Sequence, residues 1–356
     1  MDLESLRQKI DTIDQEILRS LNERIRLVVQ IGKIKGQKAD GFYVPSREEE
    51  IFQKLLSINQ GPLDEMAIRS IYREIISASI ALQKKILVAY LGPAATYTHQ
   101  AAMKNFGSSL DYRSFASITD IFTAVEKGEA DYGVIPIENS TEGAVFHSLD
   151  MFAESELKII AQIYLNIEHC LLSQSPLEEL EIVLSKDQAL GQCRDWLQRN
   201  LPRAQLKEVS STAEAVKQAK TLPHAAAVAS ELAGDIYGVP IVKKGIQDKG
   251  NNVTRFLVIG QPPLTPSVSG NDKTSLLISI NDEAGALQRA LEPFSTRGIN
   301  LTKIESRPSR RKAWDYYFFV DFIGHYEDTQ VQEAIENLKR VCPQMKWLGS
   351  YPNVQY

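Results

Sequence analysis

Cysteine is scarce in this chain: Cys170, Cys193 and Cys342 are the only three in 356 residues, widely spaced and without a CxxC pair. That excludes a disulfide framework and a thiolate zinc site, and it suits a reducing compartment. Long apolar runs are also missing; none approaches the roughly 20 residues that span a bilayer, so no membrane association is expected. The opening Met1-Asp2-Leu3-Glu4-Ser5 is acidic and lacks the basic-then-apolar order of a secretion signal, so the expected location is cytoplasmic. Nor is there an excess of positive charge. The net charge of −5 argues against a general nucleic-acid binder. What remains is ordinary globular composition, 43% hydrophobic and 24% charged, with length for two or three domains.

The first segment is helical by pattern. Leu3, Leu6, Ile10, Ile13, Ile17, Leu27, Ile31 and Ile34 follow a heptad-like spacing, predicting one helix over 3–38 with Gly32 as its only interior glycine. At about 1.5 Å per residue it would be on the order of 50 Å long. Two short helices cannot cover that length, so a second copy of the chain is the expected cover. A break follows at Ala39-Asp40-Gly41 and Pro45. A second helix starts at Ser46, and a third runs from Asp64 to Lys84 after the Gly61-Pro62 break. Arg24 falls on the apolar stripe, and Lys35, eleven residues on, lies within roughly 20° of it. Two cations on one inward face call for an anion. Arg7 lies about 100° away from Arg24 and serves a different site. Ser79 and Gln83 are i,i+4 neighbours.

These residues carry a resemblance. L-R-x-K-I-D, Glu23-Arg24, Gly32 to Lys35, Pro45 to Glu48 and Ser79 to Gln83 occur in the order found in the all-helical chorismate mutases. The resemblance implies an intertwined helical dimer. It also implies a site built from Arg24, Lys35, Arg47, Glu48, Ser79 and Gln83, with Arg7 supplied by the partner chain. Val44 stands where that family often has an acid. The implied chemistry is the pericyclic rearrangement of chorismate to prephenate. Arginine forks would grip the two carboxylates, Lys35 and Gln83 would donate to the breaking ether oxygen, and Glu48 would accept from the ring hydroxyl.

From Lys85 the pattern changes to strands alternating with helices. Ile86 to Leu91 reads as a strand that runs into Gly92-Pro93-Ala94-Ala95-Thr96 and then a helix. Such a helix start can bind an anion, and the absence of G-x-G-x-x-G there excludes a dinucleotide fold. Polar turns recur at the ends of later strands: Glu138 to Gly143, Ser185 to Cys193, and Gln247 to Arg255. In open α/β sheets ligands bind at those ends. Alone, Asn252, Thr254 and Arg255 read as the cap of a strand over Phe256–Ile259; together with the other turns they mark a site. Cys193 and His169 read as a buried thiol and a satisfied core histidine rather than catalysts.

G-P-x-x-T-Y, I-P-I-E-N-S-x-x-G, S-x-x-Q-A-L-x-Q-C and N-x-T-R-F resemble prephenate dehydratase over about residues 86–262. The resemblance implies two α/β lobes around a cleft, similar to a periplasmic binding protein, and a reaction that needs no cofactor and no metal. It makes Thr254 the acid for the departing hydroxyl, or the group that positions it. Thr96, Asn139, Ser140, Thr141, Ser185 and Gln192 would contact prephenate. Arg255 would contact substrate or hold the loop. Ala95 stands where that family usually has glycine.

Pro262 to Asp272 is a linker by composition. Beyond it the order β-α-β-β-α-β predicts a ferredoxin-like domain over 273–356. Gly285-Ala286-Leu287 and Glu305-Ser306-Arg307-Pro308 resemble the ACT regulatory module, which implies phenylalanine as effector at an interface between chains. The expected whole is multidomain: an all-α three-helix domain (1–85), a two-lobed α/β domain (86–262) and an α+β ACT domain. Its expected function is a two-step conversion of chorismate to phenylpyruvate in a homodimer or larger homo-oligomer. Two alternatives stand beside it: a dehydratase whose helical domain only dimerises or regulates, and a non-catalytic small-molecule sensor.

Overall fold

The computed structural model describes residues 2–35, 43–261, 270–308 and 316–354, the Lys35 side chain excepted. The expected end of the first helix at 38, the break at Ala39–Gly41 and the start of the linker, Pro262–Pro266, lie outside those residues. Three helices come first: α1 (Leu3–Lys35), α2 (Pro45–Ile58) and α3 (Glu65–Ala81). The Asp64 carboxylate caps α3 by accepting from the Ala67 N–H, whereas Val44 offers α2 no side-chain cap. The apolar stripe of α1 is uncovered within one chain, with Leu3 65% and Ile34 84% exposed.

The middle segment forms two sheets. In the first, strands Asp111–Phe115, Leu87–Leu91 and Tyr132–Asn139 lie parallel, followed by Val253–Gly260 and Lys158–Asn166 in antiparallel pairing. In the second, the order is Ile241–Lys243, Cys170–Ser173, Ala225–Ala229, Ile182–Ser185 and Gln205–Glu208. The chain enters the second lobe after Asn166 and returns before Val253. The two crossings run side by side, with the Ile246 N–H donating to the His169 carbonyl at 2.9 Å. The alanine-rich Ala225–Ala229 strand is wholly buried, which lets the Thr212–Thr221 helix pack close against it.

The last domain is a four-stranded antiparallel sheet in the order Leu301–Pro308, Tyr316–Ile323, Asp272–Ser279, Gln344–Pro352, with helices Ala286–Ser295 and Thr329–Val341 on one face. This is the expected ferredoxin-like arrangement. The other face lies on the first lobe: Leu277, Phe319, Leu348 and Tyr351 join one core with Phe152, Leu257 and Ile259. Both faces of the sheet are thus covered, which explains why all eight residues of Asp272–Ser279 are buried. Contact is close at Gly349, where a Cβ would meet the Ile159 carbonyl oxygen at 2.1 Å.

Candidate active sites

Strand alternation organises the cleft. Thr254 and Arg255 are neighbours on one strand, so their side chains leave opposite faces. Thr254 pairs in register with Asn139, and Arg255 with Glu138. One face therefore presents a hydroxyl and an amide, and the other an ion pair.

On the cleft face the Asn139 Nδ2 donates to Thr254 Oγ1 at 2.8 Å and to Asn252 Oδ1 at 2.6 Å. The Asn139 Oδ1 is occupied by the Thr141 N–H at 2.9 Å and the Thr141 hydroxyl at 2.6 Å. These contacts fix which way the amide points. Thr254 Oγ1 is consequently an acceptor from Asn139, and its own proton is free to be donated elsewhere. Gln192 reaches across from the second lobe: its Oε1 accepts from Asn252 Nδ2 at 2.9 Å, and its Nε2 donates to Glu142 at 3.2 Å. Ser140 stitches the turn, its Oγ donating to the Asn251 carbonyl and accepting from the Val253 N–H, both at 2.9 Å. Thr96 caps the Tyr97–Phe106 helix and donates to the Leu91 carbonyl at 2.9 Å. Ala95, in the same turn, takes the left-handed φ of 68° that explains a preference for glycine there.

Two expectations need correction, and a third, which left two roles open, narrows. Arg255, expected to contact substrate or to hold the loop, is 2% exposed and donates to Asp321 Oδ2 at 2.6 Å, to the Tyr351 hydroxyl at 3.0 Å and to Glu138 at 3.4 Å, contacts that suit the holding role. Ser185 does not line the cleft, because its buried hydroxyl donates to the Val228 carbonyl. Arg307 is not free for an effector, since its guanidinium grips Asp150 of the first lobe through two bonds of 3.0 and 2.9 Å. Lys303 on the same strand pairs with Glu138. Burial works to raise the Glu138 carboxyl, but Lys303 and Arg255 together outweigh it and hold it below the usual carboxylate range. Burial pushes the Cys193 thiol up to about 12, with Asp248 and Cys170 adding to the effect, so it is no nucleophile at neutral pH.

In the helical domain, Arg24 Nη1 donates to Ser79 Oγ at 2.9 Å, and Gln83 Nε2 donates to the Ser79 carbonyl at 3.1 Å. Gly32 lets α1 approach: a Cβ there would stand 2.6 Å from Gln83 Oε1. Arg24, Ser79 and Gln83 thus meet. Glu48 and Arg47 take other partners, Arg73 and Glu50 respectively. Burial raises the Glu48 carboxyl against the pull of Arg73. Arg7 stands exposed on α1.

In the last domain Gly285 takes the left-handed φ of 77° at the start of the Ala286–Ser295 helix. Leu287 is exposed. On strand Leu301–Pro308 the exposed and half-buried residues alternate, so Ser306 faces outward while Glu305 and Arg307 face the first lobe.

A helical domain carrying an arginine–serine–glutamine group, a two-lobed α/β unit with an amide-and-hydroxyl cleft, and a docked ferredoxin-like domain define a modular enzyme. Residues 6–84 match the chorismate mutase type II family, residues 88–263 the prephenate dehydratase family and residues 274–340 the ACT domain family. A bifunctional chorismate mutase/prephenate dehydratase of Aquifex aeolicus is 51% identical over 99% of this chain and 98% of its own. One of the same description from Pseudomonas aeruginosa is 38% identical over 98% and 97%. The crystal structure of a prephenate dehydratase from Arthrobacter aurescens in complex with L-Phe superposes with a TM-score of 0.71 at 32% identity, over 75% of this chain and 90% of that one. The chain belongs to the bifunctional chorismate mutase/prephenate dehydratase family.

Glu142, which has no role assigned from the sequence, completes the cleft, and Asn252, which reads there as a strand cap, becomes the link between Asn139 and Gln192. Asn252 lay inside the N-x-T-R-F motif, two residues before Thr254, and strand parity was the signal that would have aimed it at the same face.

Proposed function

We infer that this protein rearranges chorismate to prephenate in its helical domain and converts prephenate to phenylpyruvate in the two-lobed cleft. The observation that carries the second step is the Asn139 amide donating to Thr254 Oγ1, which leaves the Thr254 proton for the substrate. Thr254 donates that proton to the ring hydroxyl as the C–O bond breaks. The ring carboxylate leaves as carbon dioxide, and its C–C bonding electrons complete the aromatic ring. The Asn139 N–H stabilises the negative charge developing on Thr254 Oγ1, which then regains a proton from solvent. Asn139, Thr141 and Gln192 shape the cleft, Ser140 holds its turn, and the Thr96 helix start serves a substrate carboxylate.

The mutase step needs no proton transfer. Arg24, tied to Ser79, binds one carboxylate, and Lys35 and Gln83 donate to the ether oxygen. Arg7 completes the site from a second chain, because the exposed apolar stripe of α1 is covered by another copy. In that dimer Glu48 and Arg47 exchange their present partners for substrate. The ACT domain binds phenylalanine through Gly285–Leu287 and Ser306, with the cytoplasm as the setting.

The test supplies purified protein with chorismate or with prephenate and follows phenylpyruvate with and without phenylalanine. Phenylpyruvate should form from both substrates and fall when phenylalanine is added. Product from prephenate alone would reduce the helical domain to a dimerising module. Product from neither would overturn the reading.

A further inference from the structure

His169 sits where the two lobe crossings run side by side. Its carbonyl accepts from the Ile246 N–H at 2.9 Å, and its own N–H donates to Gln247 Oε1 at 3.0 Å. From that hinge its buried ring points into the polar chain of the cleft. Nδ1 lies 2.7 Å from the Tyr97 hydroxyl, on the first lobe, and Nε2 lies 2.8 Å from Gln192 Oε1, on the second. Burial lowers the imidazole's pKa against the opposing bond to Gln192, so the ring is neutral near pH 7.

The directions of the bonds follow from one another. Gln192 Oε1 accepts from Asn252 Nδ2, and Gln192 Nε2 donates to Glu142, so His169 donates from Nε2, and its Nδ1 is an acceptor that shares the Tyr97 hydroxyl proton with the Glu168 carbonyl, 3.0 Å from that hydroxyl. Asn252 in turn accepts from Asn139 Nδ2, which also donates to Thr254 Oγ1. The donations converge on Gln192 Oε1, from His169 on one side and from Asn252, itself an acceptor from Asn139, on the other. If the Gln192 amide turned over, Asn252 and then Asn139 would have to turn with it. An Asn139 oxygen facing Thr254 would take the threonine's proton and leave none for substrate. Thr141 pins one end of the chain, and His169 holds the other.

We propose that His169 is a positioning residue for dehydration: its Nε2–H fixes the Gln192 amide and, through Asn252 and Asn139, keeps the Thr254 proton directed at the substrate. This deepens the reading of the cleft as the prephenate site and rests on it. Because His169 also ties the two crossings together, the same side chain links the lobe hinge to that proton.

The test compares His169→Gln, His169→Asn and His169→Leu in the full-length protein. A glutamine Nε2 stands about as far from Cβ as the histidine Nε2, whereas an asparagine Nδ2 stands where Nδ1 was. Dehydratase kcat should fall about 10–100-fold in the Asn and Leu variants with KM nearly unchanged, the scale of loss expected when a reacting group is misplaced by about 1 Å. The Gln variant should stay close to wild type, and mutase turnover should be unchanged in all three. Tyr97→Phe, which leaves the hinge residue intact, should lower kcat by a smaller factor, again without a change in KM. Equal activity in all three His169 variants, equal loss in all three, or a loss appearing in KM would overturn the proposal. A wild-type protein that does not dehydrate prephenate would instead overturn the reading of the cleft.

Discussion

The Arg255–Asp321 pair is a buried ionic link between the dehydratase strand and the ACT domain, and its removal has a calculable cost. Arg255 is 2% exposed and Asp321 is 0% exposed. In an Asp321→Ala variant the guanidinium keeps the Tyr351 hydroxyl at 3.0 Å and, as its nearest remaining carboxylate, Glu138 at 3.4 Å. Breaking one partner of such a buried pair costs about 3–5 kcal/mol. For a unit of this size that corresponds to a fall in Tm on the order of 10 °C. Replacing both partners, as in Arg255→Met with Asp321→Leu, removes the stranded charge and should recover most of the loss. Thermal unfolding of Arg255→Met, of Asp321→Leu and of the double variant, beside Asp321→Ala, measures this directly. Dehydratase turnover should fall with Asp321→Ala as well, because Arg255 adjoins Thr254 on one strand. A single-variant loss below about 1 kcal/mol, or a double variant whose loss equals the sum of the singles, would refute the reasoning.

Two further outcomes follow from particular contacts. Gly32→Ala should leave the fold intact, and helix propensity favours it by up to about 1 kcal/mol, yet the new Cβ displaces Gln83. Mutase turnover should therefore drop while dehydratase turnover holds, as steady-state assays of the two reactions would show. Lys273 is held down to about 8, first by burial and then by Arg255. Its unfolded value is near 10.4, so between those pH values the unfolded chain holds a proton that the folded chain has released. Its contribution to stability thus rises with pH across that window. Lys273→Met should be the more stable protein at pH 7 by denaturant unfolding, and its advantage should shrink towards pH 10.

Much of this architecture is legible in the sequence because burial writes itself as pattern. The α1 heptads, the βαββαβ order and the central strands all show it. Among the strands without such a pattern are Asp111–Phe115 and Gln205–Glu208, edge strands that are largely polar and exposed, and the three-residue edge strand Ile241–Lys243, too short to show one. An edge strand keeps one side in water and need not be apolar. The role of Arg255 stayed open in the sequence because its pattern shows a strand only from Phe256, whereas the pairing begins at Val253. Those three residues set the parity that sends Thr254 and Arg255 to opposite faces. The partners of Arg307 and His169 were hidden for another reason. Asp150 and Gln192 reach them only through domain docking and lobe closure, which no local spacing encodes.

The central claim is that Thr254 supplies the proton for dehydration while the helical domain works independently of it. Its most direct test gives chorismate to Thr254→Ala and follows prephenate and phenylpyruvate together. The variant should make prephenate at the wild-type rate and accumulate it, with phenylpyruvate formation down by orders of magnitude and prephenate binding largely kept. Phenylpyruvate formed at close to the wild-type rate would contradict the account.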